Sequence, residues 1–175
     1  YWNRGWPNKI TNVYGIMKAY LTRVGEGPFP TELNDDFGDY IRKKGQEFGA
    51  TTGRPRRCGW FDAVLGKYAV LINGLTDLVI TKLDILDELD EIYVCTSYEV
   101  DGKKLDSFPR SLSTLQKAKP VYTKLKGWKT DITNIREYDK LPQEAKDYLK
   151  FLEETLETKV SILSLGPDRK ATIKI

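Results

Sequence analysis

Two short runs of branched apolar residues, Asp77-Leu-Val-Ile-Thr-Lys82 and Val160-Ser-Ile-Leu-Ser164, constrain this chain more than any other feature. Runs of this length, apolar on consecutive positions and closed by polar residues, mark strands buried on both faces, as in a parallel sheet. Around them lie segments with helical spacing. Phe61 to Ile72 places Val64, Leu65, Tyr68, Ala69 and Ile72 on one face and ends at Asn73-Gly74, while Leu141-Pro142 opens a helix that presents Ala145, Tyr148, Leu149, Leu152 and Leu156. A shorter helix is expected over Asp36 to Lys44, with Phe37, Tyr40 and Ile41 on one side and Gly45 just past its end. Such alternation predicts an α/β fold, a parallel or mixed sheet with helices packed on it.

The remaining segments fill in around that frame. From Thr11, the residues Val13, Ile16, Met17, Tyr20 and Leu21 have helical spacing, and Val24 to Pro30, with two glycines and two prolines, must be a loop. Glu91 to Tyr98 reads as a strand that turns through Val100 to Lys103 into a short partner from Leu105 to Phe108. Ser111 to Ala118 suggests a single helical turn, Lys119 to Trp128 an extended segment, and Ala171 to Ile175 a closing strand. A length of 175 residues fits one domain. Residues 1–12, with Trp2, Gly5, Trp6 and Pro7, read as a lead-in whose origin, native or not, stays open, and the domain as residues 13–175.

Between the second and third predicted helices lies Gly49-Ala-Thr-Thr-Gly-Arg-Pro-Arg-Arg-Cys-Gly-Trp60. Its glycines let the main chain approach a ligand, Thr51 and Thr52 offer hydroxyl donors, and Arg54, Arg56 and Arg57 offer forked, permanently charged donors that suit carboxylate or phosphate. Pro55 stiffens the centre. The pattern predicts an anion-binding loop, reinforced by the positive end of the helix expected to start at Phe61.

Composition removes several functions. A net charge of +3, dispersed along the chain, gives no footprint for nucleic acid, and no apolar run is long enough to span a membrane. There is no histidine, and Cys58 and Cys95 have no ligand-type spacing, so neither a zinc site nor a histidine-activated nucleophile can be assembled from these residues. Two isolated cysteines suit the reducing cytoplasm.

The loop, together with Thr22-Arg-Val-Gly-Glu-Gly-Pro-Phe-Pro-Thr-Glu-Leu33, Thr81-Lys-Leu-Asp84 and Leu163-Ser-Leu-Gly-Pro-Asp-Arg169, resembles the adenylosuccinate synthetase family. The four motifs occur in family order, and the likeness covers the C-terminal part of a single-domain nucleotide-binding fold more than twice this length. The resemblance implies a ligase of purine biosynthesis that joins L-aspartate to inosine monophosphate (IMP) at the expense of GTP. It assigns guanine recognition to Lys82, Leu83 and Asp84 on one side and to Ser164, Leu165, Gly166 and Pro167 on the other. It assigns aspartate and IMP to Ala50, Thr51, Thr52, Gly53, Arg54, Pro55 and Arg56, with Val24 beside the IMP ribose and Arg56 also reaching toward the GTP phosphates. It further implies a cytoplasmic homodimer whose magnesium ligands, catalytic aspartate and histidine and glycine-rich phosphate loop lie upstream, so that this chain is expected to be inactive by itself. Read without the resemblance, Thr81 to Asp84 is a solvated strand end and Ser164 to Asp168 a strand and turn. The alternative function is a stand-alone, non-catalytic nucleotide-binding or interaction module.

Overall fold

The computed structural model describes residues 10–175. Along the chain run β1 (Tyr14–Lys18), β2 (Leu21–Arg23), α1 (Asp36–Lys44), β3 (Arg57–Gly59), β4 (Phe61–Asp62), α2 (Ala63–Asn73), β5 (Asp77–Thr81), β6 (Glu91–Val100), β7 (Lys103–Leu105), α3 (Leu112–Lys117), β8 (Lys119–Lys126), α4 (Gln143–Leu156), β9 (Lys159–Ser164) and β10 (Thr172–Lys174). The expected lead-in falls almost wholly outside the described residues.

The predicted buried strands sit side by side. Sheet order is β1-β5-β9-β10, with β1, β5 and β9 parallel and β10 antiparallel at the edge. In a second sheet β6 pairs in parallel with β4 and antiparallel with β7 and β8, and β2 and β3 form a separate two-stranded ribbon. This is the mixed α/β architecture that the alternation of periods predicts. α4 turns Ala145, Tyr148, Leu149, Leu152 and Leu156 into the core, as its spacing requires, and the Tyr148 hydroxyl donates to the Ala19 carbonyl at 2.8 Å. α1 has the predicted bounds because Asp35 caps it, its carboxylate accepting from Gly38 N–H at 2.9 Å.

Three expectations are corrected. The segment from Thr11 is not a helix but β1 followed by β2: each residue from Tyr14 to Lys18 pairs with one from Asp77 to Thr81, and that ladder overrides the helical spacing. Gly15 has a packing reason, since a Cβ there would lie 2.3 Å from Leu75 Cδ1. The helix expected from Phe61 begins at Ala63, because Phe61 and Asp62 first pair with Val94 and Cys95. Its N-terminus therefore does not serve the arginine loop: β3 and β4 intervene, and the Asp62 carboxylate takes the Leu65 N–H at 3.0 Å. Finally, the hairpin partner expected over Leu105 to Phe108 is shifted to Lys103–Leu105.

Among the described residues β1 is the outer strand of its sheet, with Tyr14 and Ile16 exposed. At the carboxyl ends of β1, β5 and β9, Lys18 lies opposite Thr81 and Thr81 opposite Ser164.

Candidate functional site

Open parallel sheets collect ligands at the carboxyl ends of their strands. After β5 the chain turns sharply, Lys82 taking a left-handed backbone (φ 57°), and enters a single 3-10 turn, Leu83–Leu86. After β9 it passes through Gly166 and Pro167, with the Ser164 hydroxyl donating to the Gly166 carbonyl at 3.1 Å. The two turns, some eighty positions apart in sequence, face one cavity of about 400 Å³ lined by Thr81, Lys82, Asp84, Ser164, Gly166 and Pro167, with Lys44, Gly45, Gln46 and Ile85 completing it. Asp84 Oδ1 is buried there without a hydrogen-bond partner, and burial raises the pKa of its carboxyl. An unsatisfied buried acceptor costs free energy, which sets this carboxylate apart from the paired ones around it. Leu83 and Leu165, also expected at this site, are fully buried and do not line the cavity.

A neighbouring cavity of about 550 Å³ shares Lys44, Asp84 and Ile85 and continues over Glu88, Lys129, Asp131 and Thr133. Asp87 anchors its floor, accepting from Trp128 Nε1 at 2.8 Å and from Ile132 N–H at 3.0 Å. Burial moves the Asp87 carboxyl up to about 6 against those bonds.

The glycine-rich loop is closed at its base by a bridge between Phe48 and Pro55 and by Gly49 N–H donating to Arg54 O at 2.9 Å. Gly53 N–H returns to Gly49 O at 2.8 Å with a left-handed φ of 64°, which glycine adopts without the strain a side chain would add. Ala50, Thr51, Thr52, Gly53, Arg54 and Pro55 are all exposed. Among the described residues the Arg54 guanidinium makes no ion pair, and Val24 is 72% exposed. Arg57 corrects the grouping of three ligand-facing arginines. It grips both Glu32 oxygens and donates to the carbonyls of Gly25 and Gly27, so it fastens the loop after β2 and is not free for an anion.

Arg56 is held differently, by a residue with no sequence signal. Glu47 is completely buried. Its carboxylate accepts from Lys18 Nζ at 2.8 and 2.9 Å, from the Tyr20 hydroxyl at 2.6 Å and from Arg56 at 2.7 Å, and Lys82 Nζ stands 3.3 Å away. Burial favours the neutral acid, but the hydrogen bonds from Lys18, Tyr20 and Arg56 overcome it and hold the carboxyl at about 2. Lys82 also donates to the Gly45 carbonyl. A Cβ at Gly45 would lie 2.3 Å from the Tyr20 hydroxyl, so glycine is needed beside this cluster.

Among the described residues no three His, Cys, Asp or Glu side chains converge as a metal site would require, and no helix is long and apolar enough to cross a membrane. Cys58 and Cys95 are buried free thiols.

The profile of the adenylosuccinate synthetase family matches residues 4–173. The chain belongs to the adenylosuccinate synthetase family. It is similar to the adenylosuccinate synthetase of Koribacter versatilis, with 58% identity over 95% of this chain and 38% of that one. The relative from Prochlorococcus marinus subsp. pastoris is 55% identical over 97% of this chain and 39% of its own length. Among solved structures, the fully ligated adenylosuccinate synthetase of Plasmodium falciparum superposes with a TM-score of 0.92 at 43% identity, covering 98% of this chain and 42% of that chain. The chain thus spans about two fifths of the length of these synthetases.

Proposed function

We propose that this chain is the C-terminal, base-reading and aspartate-gripping part of a GTP-dependent synthetase that joins L-aspartate to IMP, forming adenylosuccinate. The observation that supports the reading is the meeting of Lys82 and Asp84 with Ser164, Gly166 and Pro167 around one cavity, where one Asp84 carboxylate oxygen is buried without a partner. Guanine fits that chemistry. Its N1–H and 2-amino group are two donors for the Asp84 carboxylate, whereas adenine offers a lone pair at N1 and no 2-amino group. Lys82 lays its stem along the base, Pro167 packs on the ring, and Ser164 and the Gly166 main chain add polar contacts, with Leu83 and Leu165 buried behind them.

The exposed loop from Ala50 to Arg56 receives aspartate, through Thr51, Thr52 and the arginines, with Arg54 and Val24 beside the IMP ribose. Arg56, fixed at the loop's base, faces both aspartate and the GTP phosphates. These residues bind and orient an amine and a triphosphate and offset the assembled negative charge. The reading leaves the family's magnesium ligands to the longer family chain, and no step here is assigned to a metal. On this reading the phosphate cradle, the proton acceptor and the homodimer contacts belong to the longer family chain in the cytoplasm, and these 175 residues alone form no adenylosuccinate.

Asp84→Asn in a full-length synthetase carrying this chain tests the reading. Xanthine replaces the 2-amino group with a carbonyl, so asparagine matches it with one acceptor and one donor but sets a donor against guanine. The ratio of kcat/KM for GTP to that for xanthosine triphosphate should fall at least about tenfold, a buried mismatch costing roughly 1–3 kcal/mol. An unchanged ratio would show that Asp84 does not read the base.

A further inference from the structure

We propose that Glu47 is a positioning residue that couples the aspartate loop to the base-reading lysine, so that occupancy of one substrate subsite is felt at the other. The coupling is ionic and local. Arg56 comes from the loop, Lys18 from the end of β1 and Lys82 from the end of β5, and all three converge on one fully buried carboxylate. Lys18, Tyr20 and Arg56 together bring four donor contacts to the roughly four lone-pair sites of the carboxylate, so Lys82, which donates to the Gly45 carbonyl, is held at longer range. Lys18 takes both oxygens, Arg56 takes Oε2 at 2.7 Å, and Lys82 is left at the longer distance of 3.3 Å from Oε1. A shift of Arg56 toward an incoming anion therefore releases acceptor capacity to Lys18 and Lys82, and a pull on Lys82 by a base does the reverse.

The scaffold around Glu47 is firm enough to transmit such a change. Glu47 N–H donates to Arg42 O at 2.8 Å, Arg56 N–H donates to Glu47 O at 2.9 Å, and Arg42 Nε donates to Arg56 O at 2.8 Å. The carboxylate is thus clamped at the closing end of the loop while its cationic partners are the parts 26 to 37% exposed. Fixed anion and partly exposed cations are the arrangement expected of a junction whose arms move.

The assignment rests on the function proposed above, and a mutant cycle separates the two. In a full-length synthetase carrying this chain, Arg56→Ala should raise the KM for aspartate and Lys82→Ala the KM for GTP. Their effects on kcat/KM should be non-additive by about fivefold or more, because both contact Glu47. In a Glu47→Gln background, which keeps size and removes the shared charge, the same pair should become additive, and Glu47→Gln alone should raise both KM values by more than it lowers kcat. If neither Arg56→Ala nor Lys82→Ala alters any KM, the functional reading itself fails. If both do but combine additively with Glu47 present, or if Glu47→Gln lowers kcat with both KM values unchanged, Glu47 only supports the fold and the coupling is refuted. Should Glu47→Gln not fold, the cycle with Glu47 intact decides alone.

Discussion

Glu47 and Asp87 are both buried carboxylates beside the same strand ends, yet their charges are treated in opposite ways. Glu47 is surrounded by Lys18, Arg56 and Lys82 and is held at about 2. Asp87 is met by two neutral donors, Trp128 Nε1 and Ile132 N–H, and is pushed up to about 6. Burial is common to both, so it is the partners that decide. Neutral donors satisfy the oxygens of Asp87 without offsetting its desolvation, whereas cations reverse the balance. One carboxylate is an electrostatic keystone and the other a mechanical tether.

The largest expected effect follows from removing the keystone. Glu47→Leu leaves three cations facing each other without their counter-charge, and breaking a buried ionic arrangement on one side costs about 3–5 kcal/mol, read from the urea midpoint. A loss below about 1 kcal/mol would show that the cations relax into solvent.

Next comes the acid response. A carboxyl whose folded pKa lies below its ordinary 4.5 stabilises the fold fully above 4.5 and loses that contribution as pH falls toward 2. For Glu47 that amounts to about 3 kcal/mol. Asp87 has the opposite sign: raised from 3.8 to about 6, it favours the fold most below 3.8, and its contribution falls as pH climbs through 6. Urea titrations of the parent and of Glu47→Gln between pH 2 and 5 should show a steeper acid limb in the parent, the other ion-paired carboxylates such as Glu32 contributing equally to both.

Asp87→Asn sharpens the other side. The protonated acid can still accept from Trp128 and Ile132, but an asparagine NH2 must face one of these donors, at a cost of about 1–3 kcal/mol near pH 4. That cost should shrink toward pH 7, where the parent carries a poorly offset charge. A constant difference across this range would mean that Asp87 is ionised throughout.

How legible this was depended on the range of the interactions involved. α1 and α4 were readable because apolar spacing and a terminating glycine are local signals, Phe37 to Ile41 with Gly45 and Ala145 to Leu156, whereas the Asp35 cap appears only in the structure. β5 and β9 were readable as strands from their consecutive apolar residues, although only Leu78, Ile80, Val160 and Leu163 are fully buried and Val79 and Ile162 between them are half-buried. β1 was not, since its side chains carry a helical spacing and only pairing with β5, sixty-three positions away, makes it a strand. In the site, Lys82, Asp84 and Ser164 were nameable from motifs, and the sheet brings them together. Glu47 was not nameable: an isolated glutamate after Gly45-Gln46 has no pattern, and its partners Lys18 and Lys82 lie 29 and 35 positions away. Arg57 misled because its charge matches its neighbours', while its partner Glu32 lies in a different segment.

The outer edge of β1 separates folding from shelf life. Among the described residues, the edge of β1 away from β5 pairs with no strand, so with every core residue in place it still offers main-chain donors and acceptors, with Ile16 75% exposed beside them, to another strand, including one from a second copy. Loss of material on standing would then report concentration and not denaturation. Ile16→Lys tells the two apart: it should leave the urea midpoint within about 0.5 kcal/mol of the parent, as exposed substitutions do, while abolishing any rise in light scattering with concentration. If scattering persists unchanged, this edge is not what the molecules meet through.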